Sequence, residues 1–313
     1  MLNSSPLPVS PDLARETPAT GPLDWSAVET FRSCARRFRL AHLDDARPEF
    51  RTVDALVDDA VRETLAWLAT TGQAGGHPSE AAVVEVLHAR WRQHLGPDVR
   101  VVRAGDRIEA FAHRAELIVR RAYHAWPLVP GLHVEGVARR FQLRLRARHD
   151  VLVSADLLGH DADATLHVVG YDVLPQTTRA LQAGPDGLQA AGLAVLLQRH
   201  VQSVRLVRLR LTDGHRDDET LTRFDAARLA SAIADRLDAL RAATEHAARP
   251  SVGCASCGFR ASCEESGLAG HFVGLPELGQ CPKCVSELGL RNGRLGVFIT
   301  CKRYPDCRYS RDI

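Results

Sequence analysis

The chain has 313 residues, of which 45% are apolar and 25% charged, and its formal net charge is +2. These values fit a folded protein with a sizeable core, and they exclude a mostly disordered chain and an overall polycation. No segment approaches the roughly 18–20 apolar residues of a membrane span, and residues 1–22 contain no apolar run typical of a signal peptide, so we expect a cytoplasmic protein without a membrane partner.

The first part of the chain predicts a disordered tail followed by a helix. Residues 1–22 are rich in Pro, Ser and Thr, which is typical of a disordered tail. Ser26 and Glu29 form an S-x-x-E capping box, which predicts that a helix begins near Ser26 and runs through "VETFRSCARRFRLAHL". Cys34 and Phe38 would share one face of this helix because they are four residues apart.

Helices come before strands in the next part of the chain. Apolar residues at helical spacing predict three further helices, over 52–71, 79–95 and 105–126. Three segments then alternate or run apolar, and they predict a meander of strands. Their sequences are "VARRFQLRLRARHD", "VLVSADLLGH" and "TLHVVGYDVLP".

A helix, a strand and a helix complete this body. "GLQAAGLAVLLQRH" predicts a helix, and "SVRLVRLRLT" predicts a strand with one solvated, basic face. A long helix is predicted over about 222–247, ending before Pro250. This order of elements predicts an α/β fold, in which a core sheet carries a helical insertion.

Eight cysteines in a protein expected to be cytoplasmic are more typical of metal ligands than of disulfides. Cys281, Cys284, Cys301 and Cys307 form two pairs that flank a Gly-rich, alternating hairpin. Two such pairs can close a tetrahedral zinc site, and in a module this small the metal would supply the folding free energy. Residues 281–313 also carry seven Lys or Arg against three Asp or Glu, a net charge of +4 that suggests an acidic partner.

The C-P-x-C pair, "GRLGVFITC" and "YPDC" resemble the C-terminal four-cysteine zinc ribbon of type IA DNA topoisomerases. The resemblance covers 279–313, after a predicted linker at 269–278, and implies binding of single-stranded DNA. It does not imply topoisomerase activity, because the chain has no room for that catalytic body. The residues suited to phosphates or to stacked bases are Lys283, Arg294, Lys302, Arg303 and Arg308, and Phe298, Tyr304 and Tyr309, respectively. The alternative for Phe298 and Tyr304 is that they only pack the small core.

The other four cysteines are Cys34 and a C-x2-C-x5-C group, Cys254, Cys257 and Cys263. This arrangement resembles the iron–sulfur members of the RecB-like branch of PD-(D/E)XK nucleases, such as AddB-type subunits. The resemblance implies that the four hold a [4Fe–4S] cluster and join the two ends of a nuclease-like domain, residues 23–268. Zinc in the same site is the alternative, and Cys34 alone could be a buried core cysteine. Ala35 stands where the family has proline.

The resemblance to the nuclease family extends through the middle of the chain. "VLVSADLL" supplies Asp156 at the position of the first acidic residue. Gly170, Tyr171 and Asp172 stand where the family has Asp-Tyr-Lys. The next helix keeps Gln189, although Leu193 takes the place of a tyrosine. Arg62 replaces the early histidine that helps to hold metal in many relatives.

These replacements bear directly on catalysis. Nuclease chemistry of this kind needs two acidic ligands for Mg²⁺, which activates water, and a lysine beside the attacked phosphate. Gly170 removes one carboxylate, and the chain's two lysines, Lys283 and Lys302, both belong to the ribbon. We therefore expect a degraded active site with Asp156, Asp172 and Gln189 as its remnants. Alternatively, Asp156 and Asp172 could form a shifted metal pair, with Gln176 or Gln189 in place of the lysine.

The sequence as a whole predicts a cytoplasmic, nucleoid-associated protein that binds DNA, preferably single-stranded, in repair, recombination or defence. Zinc and a [4Fe–4S] cluster are its expected cofactors. One alternative is an active metal-dependent exonuclease, which would use Mg²⁺. Another is a structural subunit of a helicase–nuclease complex, in which a helicase or repair protein would be the partner.

Overall fold

The structure, a computed structural model, contains a mixed sheet that carries helices. It describes residues 22–102, 107–145, 149–174, 185–249, 252–263, 280–286, 288–293 and 296–312. The predicted disordered tail, except for residue 22, and the predicted linker at 269–278 lie outside these ranges. None of the helices within them is long and apolar enough to cross a membrane.

The sheet has six strands, and its centre is an antiparallel meander. The strands are β1 (Leu23–Asp24), β4 (His133–Arg144), β5 (Asp150–His160), β6 (Leu166–Asp172), β7 (Ser203–Arg210) and β8 (His215–Thr222). β4 pairs with one edge of β5, and β1 and β6 pair with different parts of the other edge. β7 runs parallel to β6 because a helical crossover joins them, and β8 is antiparallel to β7. The predicted α/β sheet with a helical insertion is confirmed.

Helices cover both faces of this sheet. They are α1 (Trp25–Ser33), α2 (Ala35–Phe38), α3 (Val53–Gln73), α4 (Glu80–His94), α5 (Ile108–His124), α6 (Gly187–Gln198) and α7 (Arg223–Ala242). A π-helical turn, Arg39–Leu43, follows α2, and the short strands β2 (Arg51–Thr52) and β3 (Val99–Arg100) pair beside α3.

Two apolar cores lie against the two sides of the sheet. Residues of α6, α1 and α7 pack with Val153 and Val168 in one core. Residues of α3, α4 and α5 pack with Leu157 and Val169 in the other. Val168 and Val169 are neighbours in β6, and they enter different cores because successive side chains of a strand point to opposite faces.

The structure corrects the predicted start of the first helix. Asp24 rather than Ser26 is the N-cap, and its Oδ1 accepts a hydrogen bond from the Ser26 backbone nitrogen at 3.0 Å. Glu29 does not complete the expected capping box. Its carboxylate accepts a hydrogen bond from Trp25 Nε1 at 3.0 Å instead.

The predicted continuous helix through Cys34 is also wrong. Cys34 has an extended backbone, with φ of −160° and ψ of 110°, and it ends α1 and precedes α2. Its Sγ accepts a hydrogen bond from the Arg37 backbone nitrogen at 3.5 Å. The cysteine therefore caps the second helix, and it does not lie on the face of one long helix.

The C-terminal module contains a second, smaller sheet. Strands β9 (Leu288–Gly293), β10 (Gly296–Cys301) and β11 (Ser310–Asp312) form an antiparallel sheet with β10 in the middle. Its small core consists mainly of Cys281, Leu288, Ile299, Cys301 and Cys307. The hairpin that the sequence predicted is the pair β9 and β10.

Candidate functional site

A cleft of about 410 Å³ opens in the larger domain between the sheet and its helices. The strands β5 and β6 contribute Asp156 and Asp172 to its lining, so the structure brings these two predicted remnants into one cleft. Arg62 of α3 and Arg208 of β7 supply its positive charge. The acidic residues of the lining are Asp24, Glu29, Glu63, Asp156 and Asp172. Five carboxylates against two guanidinium groups leave this cleft with little attraction for a phosphate.

Arg62 makes the most extensive polar contacts in the cleft. Its Nη1 lies 2.7 and 2.6 Å from the two carboxylate oxygens of Asp156. Nε donates to Asp58 Oδ2 at 2.8 Å, and Nη2 donates to the Tyr171 carbonyl oxygen at 2.6 Å. One guanidinium group therefore contacts α3, β5 and β6 together.

Asp156 is engaged on more than one side. Besides the Arg62 contacts, its Oδ2 accepts a hydrogen bond from the Tyr171 backbone nitrogen at 2.6 Å. Burial raises the pKa of Asp156, and the guanidinium of Arg62 opposes that rise. Burial lowers the pKa of Arg62, but the carboxylates of Asp156 and Asp58 outweigh this effect and hold it above its ordinary value. Arg62 is therefore a permanent cation beside Asp156.

Gly170 occupies the second acidic position of the motif and lies opposite Arg208 in the β6–β7 ladder. A Cβ atom at Gly170 would lie 3.2 Å from Cδ1 of Leu188, so α6 packs closely against this point. Arg208 Nη1 lies 3.9 Å from Asp172 Oδ1, and its Nη2 lies 2.5 Å from Asp186 Oδ2. Asp172 thus occupies the position where the family has lysine, and Arg208 lies beside it.

Gln189, the third predicted remnant, belongs to the first turn of α6. It forms a capping box with Asp186, whose side chain accepts hydrogen bonds from the backbone nitrogens of Leu188 and Gln189. Its amide Nε2 lies 3.1 and 3.2 Å from the two carboxylate oxygens of Glu219 on β8. Gln176, the other predicted substitute for the lysine, lies outside the described residues.

Sequence analysis did not identify three of the partners in the cleft. Asp58 became apparent from its contact with Arg62, Arg208 from its proximity to Asp172, and Asp186 from its contact with Arg208. An arginine within the mostly apolar sequence of β7 was the available signal for Arg208. The expected single basic face of this strand is wrong, because successive side chains alternate between faces, so Arg208 and Arg210 lie on one face and Arg205 on the other. Asp186 directly precedes an apolar helix, which is an N-cap position.

The C-terminal module brings its four cysteines into one tight cluster. The sulfur atoms of Cys281, Cys284, Cys301 and Cys307 all lie within 4.8 Å of one another. The distance is 3.6 Å between the Cys281 and Cys307 sulfurs and 3.4 Å between those of Cys284 and Cys301. A tetrahedral zinc ion with Zn–S bonds of about 2.3 Å requires sulfur separations of about 3.8 Å. The donor set and its spacing therefore fit zinc.

Local backbone structure holds these cysteines in place. The Cys281 nitrogen donates to the Ser286 carbonyl at 2.7 Å, and the Cys301 nitrogen donates to that of Tyr309 at 3.0 Å. Hydrogen bonds from Ser286 lower the pKa of Cys284 to about 6, whereas burial raises the pKa of Cys301. The predicted four-cysteine zinc ribbon is thus supported by its geometry.

Most of the predicted DNA-contacting side chains of the ribbon are open to solvent. Lys283, Lys302, Arg303 and Arg308 are exposed, and Tyr304 is 48% exposed. Tyr309 differs, because it is half-buried against the cysteine cluster. Arg294 lies outside the described residues, and of Phe298 only its place in β10, opposite Arg291 and Asp312, is described.

The remaining four cysteines line a second, small cavity. Cys34 lies there beside Cys254, Cys257 and Cys263, although more than two hundred residues separate it from them in sequence. Four arginines share this lining, namely Arg36, Arg37, Arg249 and Arg260. Cationic side chains that share a cavity with cysteines favour their anionic thiolate forms.

The segment that carries three of these cysteines is fixed to the body by specific contacts. The Glu49 nitrogen donates to the Gly258 carbonyl at 2.7 Å, and the Ala261 nitrogen donates to Glu49 Oε1 at 2.9 Å. The Arg36 nitrogen donates to the Ala247 carbonyl at 3.3 Å, close to the first cysteine. The two ends of the larger domain therefore meet at this cavity.

Comparison with known families matches two segments of the chain. The family described as "PD-(D/E)XK nuclease superfamily" matches residues 23–264. The family described as "Topoisomerase DNA binding C4 zinc finger" matches residues 278–313. A solved structure titled "Crystal structure of SSO0001" covers 76% of this chain and 95% of its own, with a TM-score of 0.28 and 12% identity.

Curated relatives match in the ribbon region. DNA topoisomerase 1 of Campylobacter jejuni is 47% identical over 38 residues, which are 12% of this chain and 5% of that protein. DNA topoisomerase 1 of Methanothermobacter thermautotrophicus is 48% identical over 33 residues, 10% of this chain and 5% of that protein. The uncharacterized protein YrdD of Escherichia coli is 48% identical over 33 residues, 10% of this chain and 18% of that protein. The matched segment thus spans less than a fifth of each of these relatives.

Proposed function

The chain belongs to the PD-(D/E)XK nuclease superfamily and ends in a topoisomerase-type zinc ribbon, and from this combination we propose that it binds DNA without cutting it. In the proposed role it holds single strands or duplex ends during repair, recombination or defence, in the cytoplasm at the nucleoid. The observation that carries the proposal is the contrast between its two sites. The ribbon presents exposed cationic side chains, whereas an arginine engages the remaining acidic residue of the nuclease motif.

The ribbon supplies the affinity for DNA in this proposal. Lys302 and Arg303 follow directly after the zinc ligand Cys301, so the metal would fix the backbone from which both cations project. Tyr304 is the next residue, and its half-exposed ring is available as a stacking face for an unpaired base. Unpaired bases offer such faces and duplex bases do not, which favours single-stranded DNA.

The nuclease cleft lacks the groups that hydrolysis needs. Activation of water by Mg²⁺ requires carboxylates that are free to bind the ion. Asp156 is bound by Arg62, and Gly170 contributes no carboxylate. No lysine occurs before residue 283, and arginine is a poor substitute because its planar group cannot reposition its charge as an ammonium can.

The four cysteines of the larger domain, Cys34, Cys254, Cys257 and Cys263, are proposed to hold a [4Fe–4S] cluster. They surround one cavity, yet among the described residues only the ribbon cysteines bring three or more sulfurs within 4.8 Å of one another. A single zinc ion requires the closer spacing, whereas a cluster of several iron atoms accommodates a wider one. The bound group would join Cys34 to the C-terminal triad and so restrict the unfolded chain.

An active metal-dependent exonuclease is the second candidate function. The observation that favours it is that Asp156 and Asp172 line the same cleft, as a shifted pair of metal ligands would have to do. Activity would require Arg62 to leave Asp156 when the metal binds. A role as a structural subunit of a helicase complex would instead predict no affinity of the isolated chain for DNA.

One experiment separates these possibilities. The full-length protein, purified without oxygen, is incubated with labelled single-stranded and duplex DNA in Mg²⁺ or Mn²⁺, and both binding and cleavage are scored. We expect binding, with single-stranded DNA preferred, and intact DNA. Metal-dependent cleavage that disappears in an Asp156→Ala variant would establish the exonuclease, and absence of binding would favour the subunit.

A further inference from the structure

The guanidinium group of Arg62 contacts both carboxylate oxygens and a backbone carbonyl oxygen. The guanidinium group meets the carboxylates of Asp58 and Asp156 and the backbone carbonyl of Tyr171, at distances of 2.6–2.8 Å. All of these partners are oxygen atoms, and they come from a helix and two adjacent strands. Carboxylate and carbonyl oxygens are also the protein ligands that hard divalent cations bind. The same oxygen set could thus surround either a guanidinium group or a metal ion.

Most arginine–carboxylate pairs of the described structure do not combine two carboxylates with a backbone carbonyl. Arg120 is the closest parallel on another surface, since it bridges the carboxylates of Glu80 and Glu116 on α4 and α5. That bridge is partly buried, as the Arg62 contacts are, but its two acceptors are carboxylates and it includes no backbone carbonyl. Arg62, in contrast, points into the cleft, and its partner Asp156 is only 18% exposed. The enclosed oxygen set is what makes the Arg62 contact resemble cation coordination.

We propose that Arg62 serves as a built-in cation of the cleft, which neutralises Asp58 and Asp156 and thereby excludes divalent metal ions from their oxygens. The inference rests on the proposed function and deepens it, because it names the group that keeps metal ions out of the nuclease cleft. Removal of the guanidinium group leaves two carboxylates and a carbonyl facing one another. Those oxygens then bind a divalent cation.

The exclusion follows from charge and from space. A divalent ion beside a protonated guanidinium group would face a like charge at a few ångströms, where such repulsion is strong in a partly dry site. The Arg62 nitrogen atoms also occupy the directions from which the oxygen lone pairs would reach a metal. Arg62 is covalently attached, so a change in the metal concentration of the cell does not remove it.

Binding of Mn²⁺ to the full-length, zinc-loaded protein tests the proposal. The EPR signal of free aqueous Mn²⁺ weakens as the ion binds, which gives a dissociation constant without any DNA or activity. We expect the Arg62→Ala protein to bind Mn²⁺ at least about tenfold more tightly than the wild type, a difference of about 1.4 kcal/mol. The gain should disappear in the double variant Arg62→Ala with Asp156→Asn.

Arg120→Ala is the matched control. It also removes a guanidinium group from two carboxylates, Glu80 and Glu116, but these have no carbonyl partner and keep His124 and His88 beside them. Its affinity for Mn²⁺ should equal that of the wild type. An equal gain in Arg120→Ala and Arg62→Ala would overturn the proposal, since any released acidic pair would then suffice. Tight Mn²⁺ binding by the wild type at the Asp156 oxygens would overturn it as well.

A folding defect of Arg62→Ala would not leave the proposal untested. Arg62→Gln keeps much of the side-chain volume and one amide donor but carries no charge, and it should show the same gain once zinc content and circular dichroism confirm its fold. No gain in a folded Arg62→Gln protein would overturn the proposal. Because Gly170 and the missing lysine remain, neither variant should cut DNA, so a failure here is distinguishable from a failure of the proposed DNA-binding function.

Discussion

Arg62 and Asp156 are 94 residues apart in sequence, and yet Arg62 Nη1 lies 2.7 and 2.6 Å from the two carboxylate oxygens of Asp156. The pair joins helix α3 to strand β5 of the sheet. The pair has two consequences. It fixes α3 to β5, and it engages the acidic residue on which metal-dependent hydrolysis would depend.

The first prediction concerns the stability of this connection. Asp156→Asn removes the negative charge but keeps an oxygen that can accept from the Tyr171 nitrogen. Loss of one partner of a buried pair costs about 3–5 kcal/mol, whereas an exposed pair contributes about 0–1 kcal/mol. The Arg62 side chain is 33% exposed and retains Asp58, so we expect a loss of about 1–2 kcal/mol in the free energy of unfolding, measured by urea denaturation.

Asp150→Asn provides the comparison for that measurement. Asp150 also lies on β5 and pairs with an arginine, since its Oδ1 lies 2.9 Å from Arg144 Nε, but the Arg144 side chain is 71% exposed. We expect a loss below about 1 kcal/mol, because solvent screens such a pair. Equal losses in the two variants would show that the Arg62–Asp156 pair is an ordinary surface contact.

The second prediction concerns the contribution of the ribbon to DNA binding. Deletion of residues 275–313 should weaken the affinity for single-stranded DNA at least about tenfold, as measured by fluorescence anisotropy, which corresponds to about 1.4 kcal/mol. The physical reason is that this segment carries net positive charge, whereas carboxylates outnumber guanidinium groups in the lining of the larger domain's cleft. Unchanged affinity would place the DNA surface on the arginines of the larger domain, near Arg36 and Arg205.

The third prediction separates phosphate contacts from stacking. Lys302→Ala should lower the slope of log affinity against log salt by about 0.7, the value for one phosphate of single-stranded DNA, because fewer counterions are released. Tyr304→Ala should weaken binding by about 1–3 kcal/mol and leave the slope unchanged, because a stacked base releases no counterion. The measurement is a salt titration of both variants. A changed slope in Tyr304→Ala with an unchanged slope in Lys302→Ala would contradict these assignments.

The fourth prediction concerns the two cysteine sites. Cys257→Ser should remove the group bound at the cavity of Cys34 and leave one zinc ion per chain, as measured by elemental analysis of anaerobically purified protein. Cys301→Ser should do the reverse, because Cys301 belongs to the other sulfur cluster. A brown wild type containing iron is expected for a [4Fe–4S] cluster. A colourless protein with two zinc ions would support the alternative metal, and loss of both groups in each variant would contradict separate sites.

Much of the fold could be predicted because its buried elements have regular apolar patterns. The meander, the crossover helix α6 and the strand β7 carry nearly continuous or alternating apolar residues. Strand β8 was missed because "HRDDETLT" has neither pattern, and within it only Leu221 is buried. An edge strand can be this polar, since one of its edges and much of its face meet water.

Local signals also failed where tertiary contacts determine the backbone. The break at Cys34 follows no glycine or proline, and the extended conformation belongs to a residue that lines the cysteine cavity. The choice of Asp24 over Ser26 as the N-cap depends on where β1 delivers the chain to the helix. In both cases a distant part of the molecule decides between local alternatives of similar free energy.

The site was predictable as a set of residues but not as a set of contacts. The resemblance to the nuclease family pointed to Asp156, Asp172 and Arg62, and cysteine spacing pointed to the ribbon. The pairing of Arg62 with Asp156, and the position of Arg208 opposite Gly170, arise from strand register and helix placement, which no local pattern specifies.

The meeting of the larger domain's two ends at the cysteine cavity has a consequence for synthesis on the ribosome. Cys254 follows Cys34 by 220 residues, so at roughly 5–20 residues per second its translation lags by roughly 11–44 s. During that interval Cys34 has left the ribosome without its partners, and the first helix lacks the segment that holds it. The ribbon is translated after the larger domain. A nascent chain therefore acquires its proposed means of gripping nucleic acid only after every residue that closes the larger domain has been made.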